Sequence, residues 1–330
     1  MKIINLLSFF IAVILLAGCA PEVKDIESVT TEEEKFVYQT ESFADLNILR
    51  YEVPGFEELD LKQKELLYYL YEAALSGRDI LWDQNYKHNL YIRRTLETIV
   101  NSYSGDRETE EFQKFMEYTK RVWFSNGIHH HYSTQKILPE FSIVYFAVLL
   151  KYSDENKFSL QGGESVDDLF KKLTLILFDP RLDAKRVNLD PSYDLVTESA
   201  NNFYEGVTQE EVEAYYKKMI DKSDPTPISY GLNSKLLKED GIIREKVWKV
   251  GGMYTDAIEK IIYWLEKASS VAENENQKDA LDKLIEYYKT GDLRKFDEYN
   301  IAWVKDTASM IDVINGFIEV YGDPIGYRGA

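Results

Sequence analysis

Amphipathic segments with their own start signals are the feature that most constrains the fold of this chain. Apolar residues recur at helical spacing after Asp60, which has Gln63 at the capping-box position, and the pattern ends at Gly77. Thr208 is the clearest helix start, because Glu211 completes a capping box there. The same periodicity predicts further helices over 86–103, 109–124, 253–268 and 277–289. A chain of this kind has to bury several helical faces against one another.

Strand signals are fewer and centre on one turn. Segments 228–237 and 242–250 flank Asp240-Gly241, a dipeptide typical of tight hairpins. Residues 310–321 also predict a strand, which ends at the turn Gly322-Asp323-Pro324. The pattern therefore favours an α+β fold that is mostly helical with a small sheet.

The N-terminus has the composition of an export signal. Lys2 supplies a positive charge, and residues 3–16 are almost wholly apolar but too few to span a bilayer comfortably. The Leu-Ala-Gly-Cys sequence that ends at Cys19 resembles the cleavage box of bacterial lipoproteins, in which the cysteine carries the lipid. We therefore expect a lipoprotein signal peptide over 1–19, and the alternative is a plain membrane helix with an incidental cysteine.

Residues 20–35 are polar and acidic, and they predict a flexible tether between the lipid and a folded part over 36–330. This arrangement predicts a bacterial cell-envelope location, lipid-anchored at the outer membrane or the periplasmic face. Cys19 is the only cysteine, so no structural disulfide can form within the chain.

The charge of the chain is strongly acidic, with 57 Asp and Glu against 39 Lys and Arg, for a net charge of −18. Such a field repels a phosphate backbone, so nucleic acid is not an expected partner. The charge indicates either a well-solvated surface or a cleft that attracts cationic groups, such as the ammonium end of a peptide.

Most familiar catalytic motifs are missing from the sequence. It contains no HExxH, no Gly-rich phosphate loop, no CxxC and no G-x-S-x-G. Its four histidines are His88, His129, His130 and His131. The triplet could converge on a metal ion, or it could shape and hydrogen-bond a loop near a cleft; no acidic residue at ligand spacing completes a metal site.

The sequence NGFIEVYGDPIGYRG over 315–329 strongly resembles the GFIE-x-Y-x-DP-x-G-x-RG segment of the dipeptidyl peptidase III family. Two further segments resemble that family. One is 247–305, which begins with Val-Trp-Lys and ends with Trp-Val-Lys, and the other is SNGIHHHY over 125–132. The resemblance extends from about residue 40 to residue 330.

This resemblance implies a two-lobed zinc metallopeptidase that removes dipeptides from the N-termini of short peptides. The lower lobe of the family has a small β-barrel-like sheet surrounded by helices, and residues 36–330 would correspond to this substrate-binding lobe. The upper lobe holds zinc through HExxxH and EExRA-type motifs, which are absent here. The resemblance therefore implies zinc in the full-length family, but none held by this chain alone, which is expected to be inactive by itself.

Three residues are assigned roles by the resemblance. Glu319 would contact the free N-terminus of the peptide, Tyr321 would help to stabilise the oxyanion as a catalytic residue, and Tyr132 would lie in the N-terminal subsites. Residues i and i+2 of a strand share a face, so Glu319 and Tyr321 would point together. The alternative for Glu319 is a solvated strand carboxylate.

The expected partners are short peptides with a free N-terminus and a membrane reached through the lipid. Two alternative functions remain: a non-catalytic peptide-binding lipoprotein, and a scaffold lipoprotein without a ligand.

Overall fold

The computed structural model describes residues 36–315 and 322–328. Within these residues the chain forms ten α-helices and five short strands. The helices are α1 (Leu61–Ser76), α2 (Arg78–Asn85), α3 (Asn89–Ser102), α4 (Glu110–Phe124), α5 (Ile143–Lys151), α6 (Val166–Phe178), α7 (Gln209–Lys217), α8 (Thr255–Ser270), α9 (Glu275–Thr290) and α10 (Leu293–Lys305). The strands are β1 (Gln39–Phe43), β2 (Leu46–Leu49), β3 (Tyr204–Glu205), β4 (Ser234–Glu239) and β5 (Ile242–Val247). The predicted α+β class, mostly helical with small sheets, is confirmed.

Two predicted capping boxes set the starts of α1 and α7. Asp60 accepts a hydrogen bond from the Gln63 amide N at 2.8 Å, and the Gln63 side chain accepts one from the Asp60 amide N at 3.1 Å. Thr208 and Glu211 form the equivalent pair before α7. These reciprocal bonds satisfy amide groups that no earlier helical turn can satisfy. The predicted starts are therefore confirmed.

The three-stranded sheet is small and open among the described residues. β3 is parallel to β4, and β4 is antiparallel to β5 through the turn at Asp240-Gly241, where both residues have positive φ. β1 and β2 form a separate antiparallel hairpin. The expectation of a β-barrel-like sheet is wrong for this part of the chain, because three strands, one of only two residues, cannot close on themselves.

Two strand boundaries also differ from the prediction. Residues 228–233 precede β4 without being part of it, because the chain turns at Gly231, where φ is +87°. Residues 310–315 form no strand, although the sequence favours one, and 316–321 lie outside the described residues. The apolar content of 310–315 therefore did not indicate its local conformation.

Three clusters of buried side chains organise the fold. The first lies among α2 to α6, and the second joins α1 to α8, α9 and α10. The third packs α7 against β4, and Ile325 and Tyr327 contact it from the C-terminal segment. No helix among the described residues combines the length and apolarity needed to cross a membrane.

Candidate functional site

A fully buried arginine fixes segment 322–328, which follows the sequence motif at Glu319 and Tyr321. Arg328 has 0% of its surface exposed, and its guanidinium lies 4.4 Å from the ring centroid of Tyr204 and 5.1 Å from that of Tyr216. Its Nε donates to the Ser234 carbonyl oxygen at 2.8 Å, which joins the segment to β4. Stacking of a cation on two aromatic faces stabilises a charge that has left water.

Two phenols connect this guanidinium to carboxylates. Tyr204 accepts from Arg328 Nη1 at 2.9 Å and donates to Asp323 Oδ2 at 2.6 Å. Tyr216 accepts from Arg328 Nη2 and donates to Glu245 Oε1 at 2.7 Å. Burial raises the pKa of both phenols well above the usual range, so their hydroxyl protons stay in place. We call these five residues, Arg328, Tyr204, Tyr216, Asp323 and Glu245, the arginine clasp.

The chain is also held on both sides of residues 316–321. Asp323 accepts hydrogen bonds from the amides of residues 325, 327 and 328, at 2.9, 3.2 and 2.8 Å. Asn201 Nδ2 donates to the Gly322 carbonyl oxygen at 2.8 Å, and the Tyr288 hydroxyl donates to Asn315 Oδ1 at 2.7 Å. The residues that flank 316–321 are therefore bound to the body of the protein.

Of the predicted site residues, Tyr132 alone falls in the described part of the chain. Its side chain is 85% exposed, and its ring centroid lies 4.3 Å from that of His131. Glu319, Tyr321 and Cys19 lie outside the described residues, so their roles stay predictions. An exposed aromatic ring on a loop can contact a ligand, but nothing in the geometry assigns Tyr132 to a peptide subsite.

The histidine triplet is divided among separate partners. His130 Nδ1 accepts hydrogen bonds from the amides of Tyr132 and Ser133, at 3.2 and 3.1 Å, and its Nε2 lies 3.0 Å from Asp45 Oδ2. Over residues 36–315 and 322–328, no group of three or more His, Cys, Asp or Glu side chains could hold a metal ion. The contacts of His130 are those of a loop-shaping residue.

His129 joins this loop to another one. It is 2% exposed, and its Nε2 lies 2.7 Å from the Asp183 carbonyl oxygen, to which the neutral imidazole donates. Burial lowers the pKa of His129 to about 4, so the ring is neutral near pH 7. Its Nδ1 has no hydrogen-bond partner in the described part of the chain.

A cleft of about 370 Å³ lies beside these loops, and we call it the polar cleft. Its walls come from three separate parts of the chain: residues 86–87, residue 183, and most residues between 196 and 208. Its charged side chains are Lys87, Asp183 and Glu205. No sequence motif or periodicity indicates this site, because its lining residues lie far apart along the chain.

Buried hydrogen bonds fix the walls of the polar cleft. Tyr86 donates to Asp183 Oδ2 at 2.5 Å, and Asn202 Nδ2 donates to Asp83 Oδ2 at 2.9 Å. The Lys235 ammonium beside Glu205 lowers the pKa of that carboxyl, so the two residues form an ion pair. A rigid cavity with fixed polar groups can bind a small polar molecule.

The sequence model of Peptidase family M49 matches residues 230–330, a range that includes β4, β5, α8 to α10 and the arginine clasp residues Arg328, Asp323 and Glu245. The chain therefore resembles that family over these residues. Mouse dipeptidyl peptidase 3 is 24% identical over 243 residues, which cover 67% of this chain and 32% of the mouse protein. Human dipeptidyl peptidase 3 is 22% identical over 308 residues, which cover 83% of this chain and 41% of the human protein. The resemblance to dipeptidyl peptidase III that the sequence predicted is confirmed.

Solved structures show the same fold. The structure of DPP III from Caldithrix abyssi is 19% identical to this chain and superposes with a TM-score of 0.51, covering 85% of this chain and 40% of that one. DPP III from Corallococcus sp. strain EGB gives a TM-score of 0.50 at 18% identity. This chain thus spans less than half the length of these relatives.

Proposed function

We propose that this chain supplies the peptide-binding part of a zinc-dependent dipeptidyl peptidase and corresponds to the N-terminal portion of such an enzyme. The substrates would be short peptides with a free N-terminus, from which dipeptides are removed. The match of residues 230–330 to Peptidase family M49 carries this proposal, because the matched range includes Glu319 and Tyr321.

Glu319 is the proposed anchor for the peptide's α-ammonium. An exopeptidase that removes two residues has to recognise the distance from the peptide's N-terminus to the scissile bond. A carboxylate at a fixed distance from that bond does so by pairing with the α-ammonium, whose pKa is near 8. Tyr321 is the proposed neighbour whose hydroxyl stabilises the developing oxyanion. Asn315 and Gly322, the described residues on either side of this segment, are each hydrogen-bonded to the body of the protein.

The residues of this chain do not fit a zinc site. The sequence contains no HExxH, and the described residues contain no cluster that could hold a metal ion. The proposal therefore places the zinc ligands, and the chemistry of the metal, in sequence other than this chain. The same observation favours the second candidate function, a peptide-binding lipoprotein without catalysis.

Peptide binding by the purified chain tests the proposed anchor. Tetra-alanine with a free N-terminus should bind, N-acetyl tetra-alanine should bind weakly, and Glu319→Gln should weaken the first by about tenfold or more, because a charge pair is lost. Glu65→Gln, at an exposed position of α1, is the matched control and should leave the affinity unchanged. Equal affinity of wild type and Glu319→Gln for the free-amino peptide would show that the anchor lies elsewhere.

The proposed location is the bacterial cell envelope, with a lipid on Cys19. We expect the chain to fractionate with membranes, and Cys19→Ser should move it to the soluble fraction or leave an unprocessed precursor. Fractionation and mass spectrometry of the N-terminus check this outcome. A Cys19→Ser protein that is processed and membrane-bound like the wild type would contradict it.

A further inference from the structure

The polar cleft carries two charged side chains that make no direct ion pair with another described side chain. Glu205 is paired with Lys235 through a direct ammonium–carboxylate contact. Lys87 is exposed and makes no hydrogen bond or ion pair with any residue in 36–315 or 322–328. Asp183 likewise has no ion-pair partner within those ranges. Lys87 lies in the longer-range field of Glu205, and Asp183 in that of Lys136. Neither has a charged group in direct contact, so one positive and one negative group can each contact a ligand at the same cavity.

Asp183 is held as a preorganised acceptor. Its carbonyl oxygen accepts from His129, its Oδ2 accepts from the buried Tyr86 hydroxyl, and its Oδ1 has no donor among the described residues. Its φ of +49° lies in the left-handed region, which few non-glycine residues adopt, although aspartate does so more often than most. Strained, well-supported residues of this kind are concentrated at ligand sites.

Asn201 adds a neutral acceptor to the cleft wall. The residue is only 6% exposed and its Nδ2 is used by the Gly322 carbonyl, yet its Oδ1 has no hydrogen-bond partner in the described part of the chain. A buried acceptor without a donor is costly and calls for an explanation. An N–H group of a ligand, reached by a small shift of this side chain, would satisfy it.

We propose that the polar cleft binds a small zwitterion of dipeptide size, with its ammonium on Asp183 and its carboxylate on Lys87. Two extended residues span at most about 7 Å, and a cavity of about 370 Å³ has room for a molecule of that size. The volume also lies within the range of small-molecule pockets. The site uses neither Glu319 nor Tyr321, so this inference does not rest on the proposed function.

Calorimetric titration of the full chain tests both ends of the ligand. Alanyl-alanine should bind, and N-acetyl-alanyl-alanine and alanyl-alanine amide should each bind about tenfold more weakly or worse, because each lacks one charge. Tetra-alanine, titrated into Glu319→Gln so that the proposed peptide anchor does not contribute, distinguishes a free dipeptide from the N-terminus of a longer peptide, and it should bind weakly to the cleft. No binding of alanyl-alanine, or equal binding of the blocked forms, would overturn the proposal.

Variants locate the binding at the cleft. Asp183→Asn and Lys87→Met should each weaken alanyl-alanine binding by about tenfold or more. The matched controls are Asp240→Asn, where φ is +50° on an exposed turn, and Lys222→Met on an exposed loop, and both should bind like the wild type. Because the Lys87 side chain is exposed, Lys87→Met keeps the test valid even if Asp183→Asn fails to fold. Unchanged affinity in Lys87→Met would overturn the proposal.

Glu319→Gln separates this inference from the proposed function. It should leave alanyl-alanine affinity unchanged. If Glu319→Gln removes dipeptide binding while Lys87→Met and Asp183→Asn do not, the dipeptide binds at Glu319, which overturns the cleft site and supports the peptide anchor. If the cleft variants lose the dipeptide and Glu319→Gln changes no peptide affinity, the cleft site stands and the anchor fails.

Discussion

At the scale of single residues, Arg328 shows what a sequence motif conveys and what it leaves out. The sequence around it was sufficient to indicate a family, but it did not indicate that the guanidinium is completely buried. Arginine is almost never fully buried unless it is paired, so the surrounding groups had to be known first. Those groups, Tyr204, Tyr216 and Glu245, are more than 80 positions away in the sequence, and folding alone brings them to Arg328.

Replacing Arg328 by methionine should lower the free energy of unfolding by about 3–5 kcal/mol, because the buried Asp323 carboxylate and the phenols of Tyr204 and Tyr216 would lose the cation that they surround. Tyr204→Phe removes one hydroxyl of the same network and should cost about 1–3 kcal/mol. Urea unfolding followed by circular dichroism measures both. Arg181→Met, at an exposed ion pair, is the control and should leave the stability nearly unchanged. An Arg328→Met protein as stable as the control would show that the arginine clasp does not stabilise the fold.

At the scale of elements, local signals predicted the helices better than the loops. Capping residues and periodicity lie within one segment, so α1 and α4 were predicted close to their observed bounds, and α7 was predicted at its start. α5 is apolar on nearly every side and has little periodicity to detect. The loops around His129 and Asp183 are linked by non-local hydrogen bonds, such as Lys136 N to the Ala184 carbonyl and Arg186 N to the Thr134 carbonyl, which no local pattern encodes.

The contact between these loops should make stability depend on pH. His129 has a pKa of about 4 when folded against an ordinary value of 6.5, so the unfolded chain binds more protons between those values. The contribution of the neutral ring is complete above pH 6.5 and is lost as pH falls toward 4, by up to about 3 kcal/mol at 1.36 kcal/mol per pKa unit. Urea unfolding from pH 7.5 to 4.5 measures this dependence.

His129→Gln is the informative variant, because it cannot gain a proton in this range. Its stability should fall less steeply with pH than that of the wild type, whereas His130→Gln, at the partly exposed neighbour, should keep more of the wild-type slope. Carboxylates that titrate at the acidic end affect all three proteins alike. Equal slopes for wild type and His129→Gln would contradict a neutral, buried imidazole at this position.

At the scale of the whole molecule, the fold class followed from the sequence but the sheet and the polar cleft did not. The hairpin at Asp240 was predicted by two adjacent residues, whereas the third strand, β3, has only two residues and pairs with a strand about 30 positions later. The polar cleft needs three distant parts of the chain to meet, which depends on packing between helical and sheet regions. Long-range arrangement of this kind is set by the combined burial of many faces and leaves no local trace.

The purified chain, supplied with zinc, should not hydrolyse dipeptidyl-arylamides. A catalytic zinc needs three protein ligands and an open fourth position to lower the pKa of a bound water, and neither the sequence motifs nor the described side chains provide such a set. Release of the arylamine would be followed at neutral to mildly alkaline pH, against a chelator-treated blank. Turnover above that blank would contradict the prediction. In that case the double variant with His130→Gln and His131→Gln would be assayed next. Loss of the turnover would place the metal at the histidine loop. Persistence of the turnover would place the metal among residues outside the described ranges.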